Sequence, residues 1–221
     1  MPTAMITGAG RGLGAALAAA LAPTHTLFLA GRPSPQLDEV AQRLGATTWE
    51  INFDDLDAIP AAVEPIVALD VLIHNAGVSY PARVGESHIE EWRATMDVNL
   101  LGPVALTLAL LPALRAADGQ VVFINSGSGI TPSAGLASYS ASKFALRSFA
   151  DSLRKDEPRL RVTSVHPGRI ATDMQQDLVA YEGRDYEPTE FLRPETVARV
   201  TADAVTTPPD AHVHEVIVRP R

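Results

Sequence analysis

The sequence predicts an α/β fold, a doubly wound sheet of about seven parallel strands in a single domain. Two observations carry that expectation. Short apolar runs of strand length alternate with segments of helical spacing along nearly the whole chain, the order in which crossover helices join parallel strands. The chain has 221 residues, 46% of them hydrophobic, enough to bury one substantial core. Its 17 prolines and 15 glycines are scattered, and neither a repeat nor a low-complexity tract marks a linker, so residues 1–221 read as one domain.

In chain order the strand-like runs are residues 4–7, 26–30, 47–51, 71–74, 121–125, 162–166 and 213–218. Each is short and rich in β-branched, aromatic or other apolar residues. Between them lie residues 13–22, 35–44, 57–68, 89–114, 138–155 and 194–205, with apolar residues at helical spacing or in a longer apolar run. Sheets of this kind bind ligands outside the carboxyl ends of their strands, so the residues just after each strand are where chemistry is sought.

Composition removes several function classes. The chain has no cysteine, which excludes disulfides, thiolate metal sites and cysteine nucleophiles and fits a cytoplasmic protein. The N-terminus has no basic segment leading to an apolar run and cleavage site, so export is not expected. The longest uncharged apolar stretch, residues 100–114, is shorter than the roughly 18–20 residues of a membrane span, and Pro103 and Pro112 interrupt it. A buried helix and no membrane partner are expected there. A formal net charge of −8 supplies no basic face for phosphates, so no nucleic-acid partner is expected.

Directly after the first strand comes Thr7-Gly8-Ala9-Gly10-Arg11-Gly12-Leu13-Gly14, followed by an alanine-rich helix. Glycines there let the backbone approach a pyrophosphate, and the helix N-terminus offers free N–H groups and a positive dipole end. Leu13 stands where G-x-G-x-x-G needs its third glycine, so the loop fits T-G-x-x-x-G-x-G. A glycine-rich loop can be a plain tight turn. Its place between strand and helix makes Gly8, Gly10, Arg11, Gly12, Leu13 and Gly14 candidates for a dinucleotide site, as in a Rossmann-like fold.

Tyr139 and Lys143 stand four residues apart, hence on one face of one helix. A neighbouring cation favours phenolate over phenol and brings a tyrosine pKa of about 10 toward the working range. Such a pair suits protonating a carbonyl oxygen or deprotonating an alcohol. Alone, the spacing is common in helices.

It is not alone. His74-Asn75-Ala76-Gly77, Asn99 within Asp97-Val98-Asn99-Leu100, Ser126 thirteen residues before Tyr139, and Pro167-Gly168-Arg169-Ile170-Ala171-Thr172 follow the glycine loop in order. Together they resemble the short-chain dehydrogenase/reductase family along nearly the whole chain, with His74 replacing the first Asn of the family's N-N-A-G segment. The resemblance implies hydride transfer between NADP(H) and a carbonyl or alcohol carbon beside Tyr139. It also implies roles: Ser126 bonds the substrate oxygen, Lys143 binds the nicotinamide ribose and lowers the Tyr139 pKa, and Asn99 holds a proton-relaying water. Asn75, Ala76 and Gly77 support the adenosine side, and Pro167, Gly168 and Thr172 contact the nicotinamide. Two other readings stay open: a cofactor-binding sensor without net catalysis, and an epimerase or dehydratase that uses the cofactor transiently.

Ser128 and Ser133 also lie near the fifth strand, but the spacing favours Ser126. Gly127-Ser128-Gly129 lacks the intervening residues of a nucleophile elbow, which disfavours a serine hydrolase. His212 and His214 share one side of a strand, but no third ligand is in view and no metal is expected. Residues 173–193 carry Met174, Leu178, Tyr181, Tyr186, Phe191 and Leu192 and read as a substrate lid. The uncharged helix over residues 100–114, with residues 138–153, predicts a homodimer or homotetramer. NADP(H) is preferred over NAD(H) because the second strand ends Ala30-Gly31-Arg32. The Asp or Glu that would repel a 2′-phosphate is missing there, while Arg11 and Arg32 offer guanidinium groups.

Overall fold

The computed structural model describes residues 1–221. Seven strands form one parallel sheet: β1 (Thr3–Thr7), β2 (Thr26–Gly31), β3 (Thr47–Glu50), β4 (Val71–His74), β5 (Gln120–Ile124), β6 (Arg161–Pro167) and β7 (Glu215–Val218). Their order in space is β3-β2-β1-β4-β5-β6-β7. The chain builds outward from β1 to β3, then crosses back and continues from the other side of β1. Strand order therefore reverses between β1 and β4, and the crossovers diverge there to leave a crevice at the carboxyl ends.

The connecting helices are α1 (Gly12–Leu21), α2 (Pro35–Leu44), α3 (Ile59–Val63), α4 (Ile89–Met96), α5 (Gly102–Ala116), α6 (Ala137–Asp156), α7 (Asp173–Tyr181) and α8 (Pro194–Val205). Side chains alternate across each strand, so neighbouring residues serve opposite layers. Ile6, Leu29 and Ile73 meet Leu17, Val40 and Val197 from α1, α2 and α8 on one face. Met5, Leu72 and Phe123 meet Leu106, Leu110 and Leu146 from α5 and α6 on the other. With both faces covered, the central strands read as continuous apolar runs. Helix ends follow local chemistry: Ser34 Oγ accepts the Leu37 N–H at 3.3 Å to start α2, and Gly45, at φ 63°, ends it.

Several expectations need correction. The helix expected over residues 57–68 is a turn at Leu56–Ala58 and the short α3, because Pro65 has no N–H to offer the Ala61 carbonyl. The helix expected over residues 89–114 contains a π-turn at Asp97–Leu101, in which Gly102 N–H bonds the Asp97 carbonyl. Pro103 has no N–H for the Asn99 carbonyl, which accounts for the irregularity. The helix nonetheless runs unbroken over the 28 residues Ile89–Ala116, long and apolar enough by composition to cross a membrane. Length therefore does not exclude a span; packing assigns the helix's inward face, with Leu106, Leu110 and Leu114, to the core. The last strand begins only at Glu215, and residues 173–193 contain α7 and a turn at Pro188–Glu190.

Candidate active site

A cavity of about 750 Å³ opens along the carboxyl edge of the sheet. Its wall takes Gly8, Arg11, Gly12, Leu13 and Gly14 from the loop after β1, and Arg32 from the end of β2. It continues through Asn75, Ala76 and Gly77 after β4 and Ser126 after β5 to Tyr139 and Lys143 on α6, and is closed by Pro167, Gly168 and Thr172 after β6. Of the residues expected at the site, Gly10 and Asn99 are absent from the wall. Gly10 packs instead against Leu37 of α2.

The glycine loop is shaped by close approach. Gly8 has φ 65°, and a Cβ on it would stand 2.9 Å from Ala76 Cα. A Cβ on Gly14 would overlap the Gly8 carbonyl oxygen and come within 2.7 Å of Asn75 Nδ2. Asn75 stitches β1 to β4: its Nδ2 donates to the Thr7 and Gly8 carbonyls at 3.0 and 3.2 Å, and its N–H donates to Thr7 Oγ1 at 3.0 Å. No side chain caps the start of α1. Its first N–H groups therefore lack intrahelical partners at the cavity wall, a cradle fitted to a diphosphate.

Asn99 is fully buried in the π-turn. Its Oδ1 accepts the Val78 N–H at 2.8 Å, and its Nδ2 donates to the Val78 carbonyl at 2.9 Å and to Ser142 Oγ at 3.1 Å. The side chain is thus committed to holding the segment after β4, with both Nδ2 hydrogens spent. Its backbone carbonyl, deprived of an i+4 donor by Pro103, is the better placed acceptor for a water.

Tyr139, Ser126 and Lys143 converge. Burial pushes the Tyr139 pKa above its ordinary 10, and a hydrogen bond with the Ser126 side chain draws it partly back. Burial pushes Lys143 down to about 8. Its Nζ donates to the Ile124 carbonyl at 3.0 Å and stands 5.7 Å from the Tyr139 ring centre. The expected lowering of the Tyr139 pKa by Lys143 is therefore not what the resting arrangement produces. The ammonium is turned to a backbone carbonyl, and desolvation outweighs it.

His74 is buried, bonded through Nε2 to Thr107 Oγ1 at 2.8 Å and stacked on Phe123 with ring centres 5.0 Å apart. Burial first, and Lys143 second, lower its pKa from 6.5 to about 3. Between pH 6.5 and about 3 the unfolded chain takes up a proton that the folded chain refuses, so stability falls with falling pH by about 1.4 kcal/mol per unit. His74→Asn is expected to flatten that acid slope, measured by urea unfolding across the window. An unchanged slope would show that other groups set acid sensitivity.

Arg11 and Arg32 are both exposed at the cavity rim and both already paired, Arg11 with Asp173 at 2.9 Å and Arg32 with Asp54 at 3.3 Å. An acidic residue does therefore stand beside the end of β2, brought there by the segment after β3. Asn52, Phe53 and Asp54 also line the cavity; they were not among the expected residues, although they follow β3 at the carboxyl edge where such sheets bind ligands. Arg169, Gln175 and Glu182 also line it; Arg169 donates to Gln175 Oε1 and Glu182 Oε2, both at 3.0 Å.

Of the expected lid residues, Met174 and Leu178 line the cavity. Tyr181 instead lies against Gly135, Tyr186 stacks on Phe191, and Leu192 is core. His212 and His214 precede β7, and His212 Nε2 accepts the Val162 N–H at 2.7 Å, spending a nitrogen that a metal would need.

The profile of the short chain dehydrogenase family matches residues 2–183. An uncharacterized oxidoreductase of Staphylococcus epidermidis is 31% identical over 229 residues, covering 98% of this chain and 96% of that protein. The mouse dehydrogenase/reductase SDR family member 7B is 35% identical over 199 residues, 82% of this chain and 62% of its own. An alcohol dehydrogenase from the archaeon Thermococcus sibiricus, solved with 5-hydroxy-NADP, superposes with a TM-score of 0.89 at 26% identity, covering 100% of this chain and 97% of that one. The closed form of a serine dehydrogenase with NADP+ gives 0.88 at 26% identity, covering 97% and 93%.

Proposed function

This chain belongs to the short-chain dehydrogenase family and is an oxidoreductase, and from that premise we propose that it moves a hydride between NADP(H) and a carbonyl or alcohol carbon, with Tyr139 as acid/base. The observation that carries the reading is the convergence of Ser126, Tyr139 and Lys143 on one cavity with an uncapped helix N-terminus. The glycine loop would hold the diphosphate and Lys143 the nicotinamide ribose. Bound nicotinamide supplies the hydride.

The chain's own residues supply proton chemistry and orientation. Tyr139, a phenol whose ordinary pKa near 10 burial raises further, is protonated at neutral pH and donates that proton to the substrate oxygen. Ser126 Oγ–H steadies that oxygen as charge develops. Lys143, with a pKa of about 8, can give up and regain a proton near neutrality, and the Asn99 carbonyl would hold the water that connects it to solvent. Met174 and Leu178 on α7 would close over the substrate. The test is a panel of ketones, aldehydes and alcohols followed by nicotinamide absorbance. Turnover of none of them would favour the sensor reading.

NADP(H) preference rests on Arg11 and Arg32 at the rim and on relatives crystallised with NADP or its derivative. A 2′-phosphate must displace Asp54 from Arg32, an exchange of one exposed ion pair for a doubly charged partner. Arg32→Asp is expected to shift the NADPH/NADH ratio of kcat/KM toward NADH by about tenfold or more. A parent that favours NADH, or an unchanged ratio in the variant, would overturn the assignment.

The same reading extends to a homodimer or homotetramer. Leu101 at the end of the π-turn, Leu108 on α5 and Phe144 on α6 are exposed, Leu108 by 61%, on the layer that shares one core. Leu108→Glu is expected to lower the mass measured by light scattering at micromolar concentration. A parent already monomeric there would refute the assembly.

A further inference from the structure

His166, at the carboxyl end of β6, is fully buried and outside the cavity wall. Its Nδ1 lies 3.2 Å from the Ser126 carbonyl oxygen. A carbonyl oxygen only accepts, so Nδ1 carries the proton and donates it. The same oxygen receives the Gly129 N–H at 3.0 Å. Held by both, Ser126 keeps φ −159° and ψ 160°, which sets the direction of its Cα–Cβ bond. Ser126 Oγ accepts the Ser128 N–H at 3.1 Å, leaving its own hydrogen for the Tyr139 side.

The far side of His166 is anchored too. Its carbonyl accepts from Arg219 Nη1 at 2.6 Å, and the Arg219 guanidinium lies beside Gly127 in the serine turn. Its Nε2 has no hydrogen-bond partner and stands 3.8 Å from Glu215 Oε1. Glu215 is held at 2.9 Å by Arg147, on the helix that carries Tyr139. The charged groups facing the ring are thus Glu215 of β7, Arg147 of α6 and Arg219 beyond β7. Burial above all lowers the His166 pKa, keeping the ring neutral at working pH.

We propose that His166 is a positioning residue, locking the Ser126 carbonyl through Nδ1 and so holding Ser126 Oγ against the Tyr139 phenol. This rests on the reading of Ser126 and Tyr139 given above. It explains why a histidine with no access to the cavity is buried beside the site with Nδ1 set against a carbonyl oxygen.

The test is a near-ultraviolet titration of Tyr139 in the full-length, cofactor-free protein, each spectrum taken against the matching Tyr139→Phe variant. Ser126→Ala is expected to raise the phenol midpoint, because it removes the bond that draws the pKa down. His166→Leu is expected to raise it in the same direction and by a comparable amount. His166→Asn keeps an N–H near the place of Nδ1 and is expected to restore the parent midpoint. On a Ser126→Ala background, His166→Leu adds nothing, since a residue acting only through Ser126 has nothing left to act on. A parent-like midpoint in folded His166→Leu, or a shift that persists in full without Ser126, overturns the proposal alone. An unmoved midpoint in Ser126→Ala overturns the functional reading and the proposal with it. Where His166→Leu does not fold, Arg219→Ala loosens the same clamp from the exposed side; it is expected to shift the midpoint upward, and no shift overturns the proposal.

Discussion

Tyr139→Phe is expected to abolish turnover, by about 10²–10⁴-fold or more in kcat, while cofactor affinity stays within about twofold. The substitution removes one oxygen and leaves the ring, its packing and the diphosphate cradle in place. Ser126 can still bond a substrate oxygen but has no means to deliver a proton that it must then regain from solvent. Direction of reaction sharpens the test. Reduction is expected to run at full rate through neutral pH and to fall as pH rises, first as Lys143 loses its proton near 8 and then through the phenol pKa, which burial raises. Alcohol oxidation needs the phenolate and is expected to rise over the same range. Stopped-flow rates and nucleotide fluorescence titrations separate chemistry from binding, and a variant as active as the parent ends the acid/base assignment.

Gly14→Ala is the second large effect. The new methyl would overlap the Gly8 carbonyl oxygen and crowd Asn75 Nδ2. Neither can retreat. Gly8 is tied through its N–H to the Ala30 carbonyl at 2.8 Å, and its own oxygen receives the Asn75 amide. Overpacking of this kind costs about 1–3 kcal/mol, and each amide bond lost adds about 1 kcal/mol. For a domain of this size that lowers Tm by roughly 5–10 °C. Cofactor affinity is expected to fall with it, since the first turn of α1 must shift. Gly45→Ala serves as the control: φ is 63° there too, but nothing lies within 4 Å of the new methyl and the site is distant. It is expected to lose some stability and no affinity. Parent-like Tm and affinity in Gly14→Ala would refute the close-packed loop.

The sheet was legible because its signal is local: Val71–Ile73 of β4 and Val121–Ile124 of β5 are unbroken apolar runs, and the glycine loop marks its own place after β1. The residues proposed for catalysis were picked out by order and spacing. What spacing could not give is which partner a group finds. Tyr139 and Lys143 share a helix face, yet the ammonium bonds the Ile124 carbonyl, a contact made by packing α6 on β5. Asp54 is 22 residues from Arg32 in sequence and becomes its neighbour only because β3 lies beside β2. The π-turn escaped because residues 100–114, which follow it, carry no charge and are apolar nearly all round, so they show no stripe whose rotation could mark an extra residue. Its trace was Pro103, a missing donor four residues after Asn99. The last strand was drawn too long because β-branched residues stand on both sides of His214 and Glu215, at Val213 and at Val216–Val218, while pairing with β6 begins only at Glu215 opposite Ser164.

The central position of β1 governs how the chain can be made. The first strand synthesised pairs with β2 soon after, but its other edge waits for β4, with Ala4 opposite Val71. Until residues 71–74 have left the ribosome, half of that strand's backbone has no partner. The serine turn waits longer, since Glu215 and Arg219 are added last. Parallel pairings at such separation close large loops before any contact rewards them, which makes folding slow compared with helical bundles of similar length. Throughout that delay the apolar strands Val71–His74 and Gln120–Ile124 remain available to other chains. The strands that give the finished enzyme its deepest core are therefore its greatest exposure to aggregation during synthesis.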